Sequence, residues 1–400
     1  MATITTTLRA APATHPRRAR RPSYPTPSLF PMAPPQRGAE PPASLDGLVG
    51  IARLAATSPR AASKRRGDDS PDYFLLPVRS ILNRCDSDRV PFDWTINPYR
   101  GCEFACRYCY ARYTHEYMEL DPADFERKIF VKKDAGPVVS RDLDRLHQPP
   151  NHIAIGTATD PYQPAERNFG ATRAILEQLA RREGLSISIT TKSNQVVRDL
   201  DLLKRIASRS ALYINITVTT LRPRLARLLE PRAPRPDLRL AAVRALADAD
   251  LRVGVFAMPI LPGLTDRDPD LENLVRAARD HGAEWLGASV LFLMPSAARQ
   301  FLPFLDEKFP KLARQYRDFY SRSAYAPEPY RRQMADRVAR LRAKYGLASR
   351  PYTPDAFAAP SSQLPLALTS SPVLPRGGSL GPRNLDVSSS RRSLRACASG

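Results

Sequence analysis

Asn97-Pro98-Tyr99-Arg100-Gly101-Cys102-Glu103-Phe104-Ala105-Cys106-Arg107-Tyr108-Cys109-Tyr110 is the stretch on which the reading of this chain turns. Three of the five cysteines fall within eight residues there, spaced CxxxCxxC, with Tyr108 just before the last. Thiolate sulfur is soft and cluster iron binds it by preference, so three thiolates on one short loop suit three corners of an iron–sulfur cube. The fourth iron is then left without a protein ligand, open to a small molecule that offers amino and carboxylate groups. A structural zinc site asks for four ligands and finds only His115 nearby as the fourth. Three cysteines this close cannot all pair with one another as disulfides. Cys85 and Cys397 remain, too few for a further all-cysteine cluster, which takes about four.

Upstream of the loop, Phe92-Asp93-Trp94-Thr95-Ile96 alternates as a strand does, and the apolar run from Tyr73 to Leu82 marks where the folded chain begins. Downstream, Phe125 to Lys133 reads as a short extended piece and Val138 to Leu146 as a helix. A regular rhythm follows. Runs rich in β-branched residues at 152–159, 186–191, 212–219, 252–261 and 285–293 alternate with amphipathic stretches at 171–182, 196–207, 238–249 and 270–280. Connections of this length imply parallel strands with a helix packed over each crossover. With the strand before the cysteines the pattern gives six βα units. An open barrel and a flat doubly wound sheet both fit it, and both gather ligands at the carboxyl ends of the strands, where the cysteine loop sits. Beyond Leu293 helical spacing continues at 298–309, 311–321 and 330–345.

The two ends of the chain differ in texture. Residues 1–70 are rich in Pro, Ala, Arg, Ser and Thr, with one short apolar patch from Leu45 to Ala56, and 351–400 lack periodicity, so both read as disordered. The expected organisation is a disordered basic extension at 1–70, a core at 71–295, a helical region at 296–350 and a disordered tail at 351–400. The net charge of +21 is concentrated in the ends: residues 1–67 carry +9 and 358–400 carry +4. Basicity placed there gives a nucleic-acid partner only weak support. No run approaches the ~20 apolar residues that span a bilayer, so no membrane partner is expected. Free cysteines point to a reducing, cytoplasmic setting; an acid-poor N-terminus with Arg, Ser and Thr also fits an organellar transit peptide.

The CxxxCx(aromatic)C loop resembles the signature of radical S-adenosylmethionine (radical SAM) enzymes. Across residues 73–345 the chain is most similar to uncharacterised bacterial radical SAM proteins related to spore photoproduct lyase. Asn97-Pro98-Tyr99-Arg100-Gly101-Cys102, Thr159-Asp160-Pro161-Tyr162-Gln163-Pro164 and Glu230-Pro231-Arg232-Ala233-Pro234 are the matching stretches. The resemblance implies an α/β fold, a partial (β/α)6 radical SAM barrel with C-terminal helices. It implies that Cys102, Cys106 and Cys109 hold one 4Fe-4S cluster, that S-adenosyl-L-methionine (SAM) binds the open iron, and that SAM is cleaved reductively to a 5'-deoxyadenosyl radical. That radical would abstract hydrogen from a substrate the sequence does not name, and a flavodoxin or ferredoxin type donor would supply the electron. The lyases carry a hydrogen-donating cysteine at the end of the second strand; Ile153-Ala154-Ile155-Gly156-Thr157-Ala158-Thr159 has none, so their reaction is not carried over.

SAM contacts are expected from Tyr108, Thr159, Asp160, Lys192 and Thr217. Thr159 and Asp160 stand where the family often has Gly-Gly-Glu; Asp160 reads equally as a turn or capping residue. Lys192 ends a strand, where its point charge suits a carboxylate and where surface lysines are also ordinary. Thr217 lies on a strand that alternates hydroxyls and apolar groups, the pattern of half-buried packing as well as of ligand contact. Tyr110 and Tyr162 lie in loops suited to a hydrogen-atom relay, but rings there more often pack, and no catalytic residue is assigned. A different class of function, a nucleic-acid-binding protein with a structural metal site and phosphate-contacting tails, stands as the alternative.

Overall fold

The structure is a computed structural model and describes residues 48–61, 70–87, 90–148 and 150–349. In chain order its strands are β1 (Arg60–Ala61), β2 (Asp72–Leu76), β3 (Leu82–Arg84), β4 (Trp94–Ile96), β5 (Tyr99–Arg100) and β6 (Lys128–Lys132). Then come β7 (Ile153–Ile155), β8 (Ser186–Thr191), β9 (Ala211–Thr217), β10 (Val253–Ile260) and β11 (Trp285–Val290). They form two sheets, one of order β1-β2-β6-β5 and one of order β11-β10-β9-β8-β7-β4-β3.

In the larger sheet β4, β7, β8, β9, β10 and β11 are parallel neighbours in sequence order, with β3 antiparallel at one edge. These are the six βα units that the sequence rhythm implies. A doubly wound sheet reverses its strand order at a switch point; this one never does, so its right-handed crossovers lay the helices on one face. On that face Ile153, Ile155, Ile187, Ile189, Leu212, Ile214, Ile216, Val253, Val255 and Leu286 are buried under the intervening helices. Helix residues Leu176, Leu179, Leu203, Ile206, Val243, Leu246 and Leu274 meet them there.

The opposite face is polar and aromatic. His152 bridges Ser186 Oγ at 2.7 Å and Ser188 Oγ at 2.8 Å through its two ring nitrogens, and Trp285 Nε1 donates to Asn215 Oδ1 at 3.0 Å. The indole lies across the neighbouring strand because Gly254 has no side chain; a Cβ there would stand 2.1 Å from Trp285 Nε1. This layer floors the sheet near the amino ends of its strands. Thr190, Thr217 and Met258 share the same face farther along, toward the carboxyl ends.

Three features depart from the sequence reading. Helix Gly50–Ala56 and β1 form where an unstructured extension was expected: Ala55 packs with Leu76, Met118 and Phe130, and β1 pairs with β2. The apolar patch in that segment finds its partners in the smaller sheet, which only long-range pairing creates. Helix Pro223–Leu229, with proline at its first turn, was not anticipated either. The remainder of the extension, 1–47 and 62–69, and the tail 351–400 lie outside the described residues.

Candidate functional site at the cysteine loop

The loop leaves β5 through Gly101, whose φ of +83° is left-handed and whose Cβ would fall 2.7 Å from the Lys128 carbonyl oxygen and 2.8 Å from that of Phe125. Only glycine fits there. Ala105, between the first two cysteines, also sits at φ +56°, which costs a residue with a Cβ. A conformation of that kind persists where its surroundings hold it.

The surroundings are specific. The Gln163 side-chain amide brackets Cys102: Nε2 donates to the Gly101 carbonyl at 3.1 Å, and Oε1 accepts from the Glu103 amide at 3.0 Å. Thr159 Oγ1 donates to the same Gly101 carbonyl at 2.7 Å. On the other side, the Arg107 amide donates to the Leu229 carbonyl at 2.9 Å and the Arg232 amide to the Phe104 carbonyl at 3.3 Å. The Tyr108 hydroxyl donates to Glu230 Oε1, which also accepts from Thr219 at 2.7 Å, while Glu230 Oε2 pairs with Arg239 at 2.5 Å. Arg239 further donates to the Thr217 carbonyl at 3.1 Å and the Pro234 carbonyl at 2.8 Å. A hydrophobic cluster closes over the loop, with Phe104, Tyr108, Phe125, Leu229, Phe301 and Tyr316 among its members. The C-terminal helices therefore wall the cysteine site.

Electrostatics follow from this burial. Cys102 and Cys106 are buried and Cys109 half-buried, and all three are free thiols. Burial pushes the Cys102 thiol well up, Cys106 up to about 12 and Cys109 up, so the thiols resist ionising until positive charge arrives. Burial opposes charge on Glu230 as well, but Arg239 and Lys192 hold it down to about 2. For Lys192 burial works against the ammonium; Cys106 and Glu230 outweigh it and raise its pKa.

The structure brings Tyr108, Thr159, Asp160, Lys192 and Thr217 to the carboxyl ends of β7, β8 and β9, beside the cysteines. Their engagements differ. Asp160 accepts from the Tyr162 amide at 2.9 Å, Thr191 Oγ1 at 2.6 Å and the Lys192 amide at 2.7 Å, so its carboxylate shapes a turn and ties it to β8. Thr159 holds the loop through Gly101. His115 is turned away: its Nε2 meets the Lys128 carbonyl at 3.1 Å and its ring packs on Phe125 and Phe130. Tyr162 is buried in the main core, whereas Tyr110 is 40% exposed and donates its hydroxyl to the Thr157 carbonyl.

Sequence reasoning missed Gln163, Thr219, Glu230 and Arg239. Gln163 and Glu230 lie inside the stretches that carry the resemblance, but nothing local reveals a partner 60 or 122 positions away. Arg239 reads as one more charge on an amphipathic helix.

Comparison with known proteins agrees with this geometry. A family profile described as the Radical SAM superfamily matches residues 96–275. Uncharacterized protein Rv2578c of Mycobacterium tuberculosis is 37% identical over 295 residues, covering 73% of this chain and 86% of its own length. Uncharacterized protein MJ0683 of Methanocaldococcus jannaschii is 28% identical over 218 residues, 54% of this chain and 77% of its own. Among solved structures, spore photoproduct lyase complexed with dinucleoside spore photoproduct superposes with a TM-score of 0.51 at 17% identity, over 76% of this chain and 84% of that one. That likeness is one of fold. By its cysteine loop, its strand order and these relatives, the chain belongs to the radical SAM superfamily of enzymes.

Proposed function

We propose that Cys102, Cys106 and Cys109 hold a single 4Fe-4S cluster and that SAM binds beside them at the carboxyl ends of β7, β8 and β9. The observation that carries this reading is the loop itself: three free thiols, two buried and one half-buried, on a strained turn gripped from two sides. The donor set fits the group. Among the described residues no three or more His, Cys, Asp or Glu side chains are arranged to hold a single metal ion. One tetrahedral zinc would draw its sulfurs to about 3.8 Å apart, given Zn–S near 2.3 Å, whereas a cluster spreads its ligands over separate irons. His115, the nearby candidate for a fourth zinc ligand, has its Nε2 on the Lys128 carbonyl and its ring against Phe125 and Phe130.

When bound, the cluster and SAM supply one-electron reductive cleavage to a 5'-deoxyadenosyl radical. The chain's own residues do the rest. Gln163 and Thr159 fix the main chain around Cys102, and Glu230 fixes Tyr108, so the loop that would carry the three cluster ligands is held from both sides. Lys192 offers a cation to the SAM carboxylate, and Thr217 borders the same space. The phenylalanines of the C-terminal helices keep water from the loop. A nucleic-acid component is the substrate class to test first, since a protein of this fold is named for its complex with a dinucleoside photoproduct. A reducing compartment and a flavodoxin or ferredoxin type donor complete the reading.

Anaerobic reconstitution with iron and sulfide, followed by dithionite and SAM, is expected to yield 5'-deoxyadenosine. A protein with an intact cluster that forms none would overturn the proposal.

A further inference from the structure

We infer that the outward face of helix Pro223–Leu229 and the turn after it is the docking surface for the acidic one-electron carrier protein that feeds the cysteine site. This rests on the reading that the site takes up one electron per turnover. Its basis is a coincidence of position and charge in one short segment.

Position comes first. The segment is bonded to the cysteine loop on both sides of Cys106, through the Arg107 amide to the Leu229 carbonyl and the Arg232 amide to the Phe104 carbonyl. A protein seated on its outer face approaches the cysteines through a single layer of chain. Charge is the second element. Arg224, Arg227 and Arg232 are exposed and form no ion pair with any described residue; Arg227 only reaches the Pro231 carbonyl. Their neighbours are neutralised: Arg222 by Asp270 at 3.5 Å, Arg235 by Asp237 at 3.0 Å and Arg239 by Glu230 at 2.5 Å.

The apolar content decides between partners. Leu228, next to Arg227 on the helix, is 39% exposed. A small apolar centre with a charged rim is the make-up of a protein interface, and transient redox encounters use small ones. A nucleic-acid strand would use the same charges for its phosphates, but it gains affinity by stacking bases on rings, which leucines do not provide. The rim charges steer an acidic partner and hold it weakly enough to leave. The step needs no bond change: one electron leaves the reduced carrier and one enters the metal site.

The test compares the reconstituted full-length protein with R224E/R227E and the neutral R224Q/R227Q. An acidic flavodoxin is titrated calorimetrically at low and high salt, and its reduced form is mixed in stopped flow while cluster absorbance is followed. The charge-reversed variant is expected to bind at least about tenfold more weakly, with its reduction rate slowed by a similar factor and its salt dependence flattened. The neutral variant should fall between, and dithionite-driven 5'-deoxyadenosine formation should match wild type in both. Unchanged flavodoxin affinity and rate would overturn the assignment, as would loss of oligonucleotide binding alone. Failure of the cofactor reading looks different: no 5'-deoxyadenosine from any of the three proteins with dithionite, while the calorimetric comparison still reads out.

Discussion

The Tyr108 hydroxyl donates to the Glu230 carboxylate across 122 positions of sequence, inside a protein layer that leaves Tyr108 5% and Glu230 2% exposed. The same carboxylate pairs with Arg239, which is 1% exposed. The ring just before Cys109 is thus anchored by a buried ion pair that spans from the end of one helix into the next. Removing one member leaves the other charged and dry. Glu230→Ala should therefore cost about 3–5 kcal/mol in urea unfolding of the metal-free protein. The double variant Glu230→Ala/Arg239→Ala should cost less than the sum of the singles, because the uncompensated charge is gone. Additive losses would mean that the pair is not coupled.

Gln163 makes a different kind of grip, two neutral hydrogen bonds that straddle Cys102. Gln163→Leu keeps much of the volume and strands the buried Glu103 amide, while the Gly101 carbonyl keeps its bond from Thr159, for a loss of roughly 1–3 kcal/mol. Because those groups flank a cysteine, the larger effect should fall on the metal: iron bound per chain after reconstitution drops and decays faster on gel filtration. Iron content equal to wild type would show that the loop keeps its shape without the bracket.

His115 predicts a pH effect that owes nothing to the cofactor. Burial lowers its pKa from the ordinary 6.5 to about 4. The unfolded chain then binds a proton that the folded chain refuses between these values, so stability is full above pH 6.5 and falls as pH drops toward 4. The linked loss is of the order of 3 kcal/mol at its limit. Urea midpoints measured from pH 4 to 7 should slope in wild type, and the slope should flatten in His115→Phe.

The architecture was legible because it is periodic. The expected strand at 186–191 coincides with β8, and the others differ by a few residues at ends where the ladder stops before the apolar run does. The cysteines announced themselves by spacing. What supports them did not, since Gln163, Glu230 and Arg239 act through contacts that the fold creates. The smaller sheet was hidden for the same reason. Its strands β1 and β5 are two residues long and carry no period; they exist because β2 and β6 offer edges to pair with. Asp160 shows the opposite limit: a polar residue in a loop does not disclose the three hydrogen bonds that its carboxylate makes to the chain.

Lys192 carries the sharpest test of where SAM sits. Its backbone is pinned by Asp160 at 2.7 Å, and its ammonium lies in the fields of Cys106, Glu230 and Asp160, with Arg239 opposing. A half-buried cation held next to the cysteine loop favours an anion there, and SAM offers one carboxylate. Lys192→Met removes the charge but keeps the length, so it should weaken SAM binding to the reconstituted protein by about tenfold or more, a loss near 1.4 kcal/mol. Lys192→Arg should recover only part of this, because a planar fork replaces a compact point charge. Equilibrium dialysis with labelled SAM separates the outcomes, and cluster absorbance in the same samples checks that the irons are in place. Equal SAM affinity in Lys192→Met and wild type would move the carboxylate site to another cation.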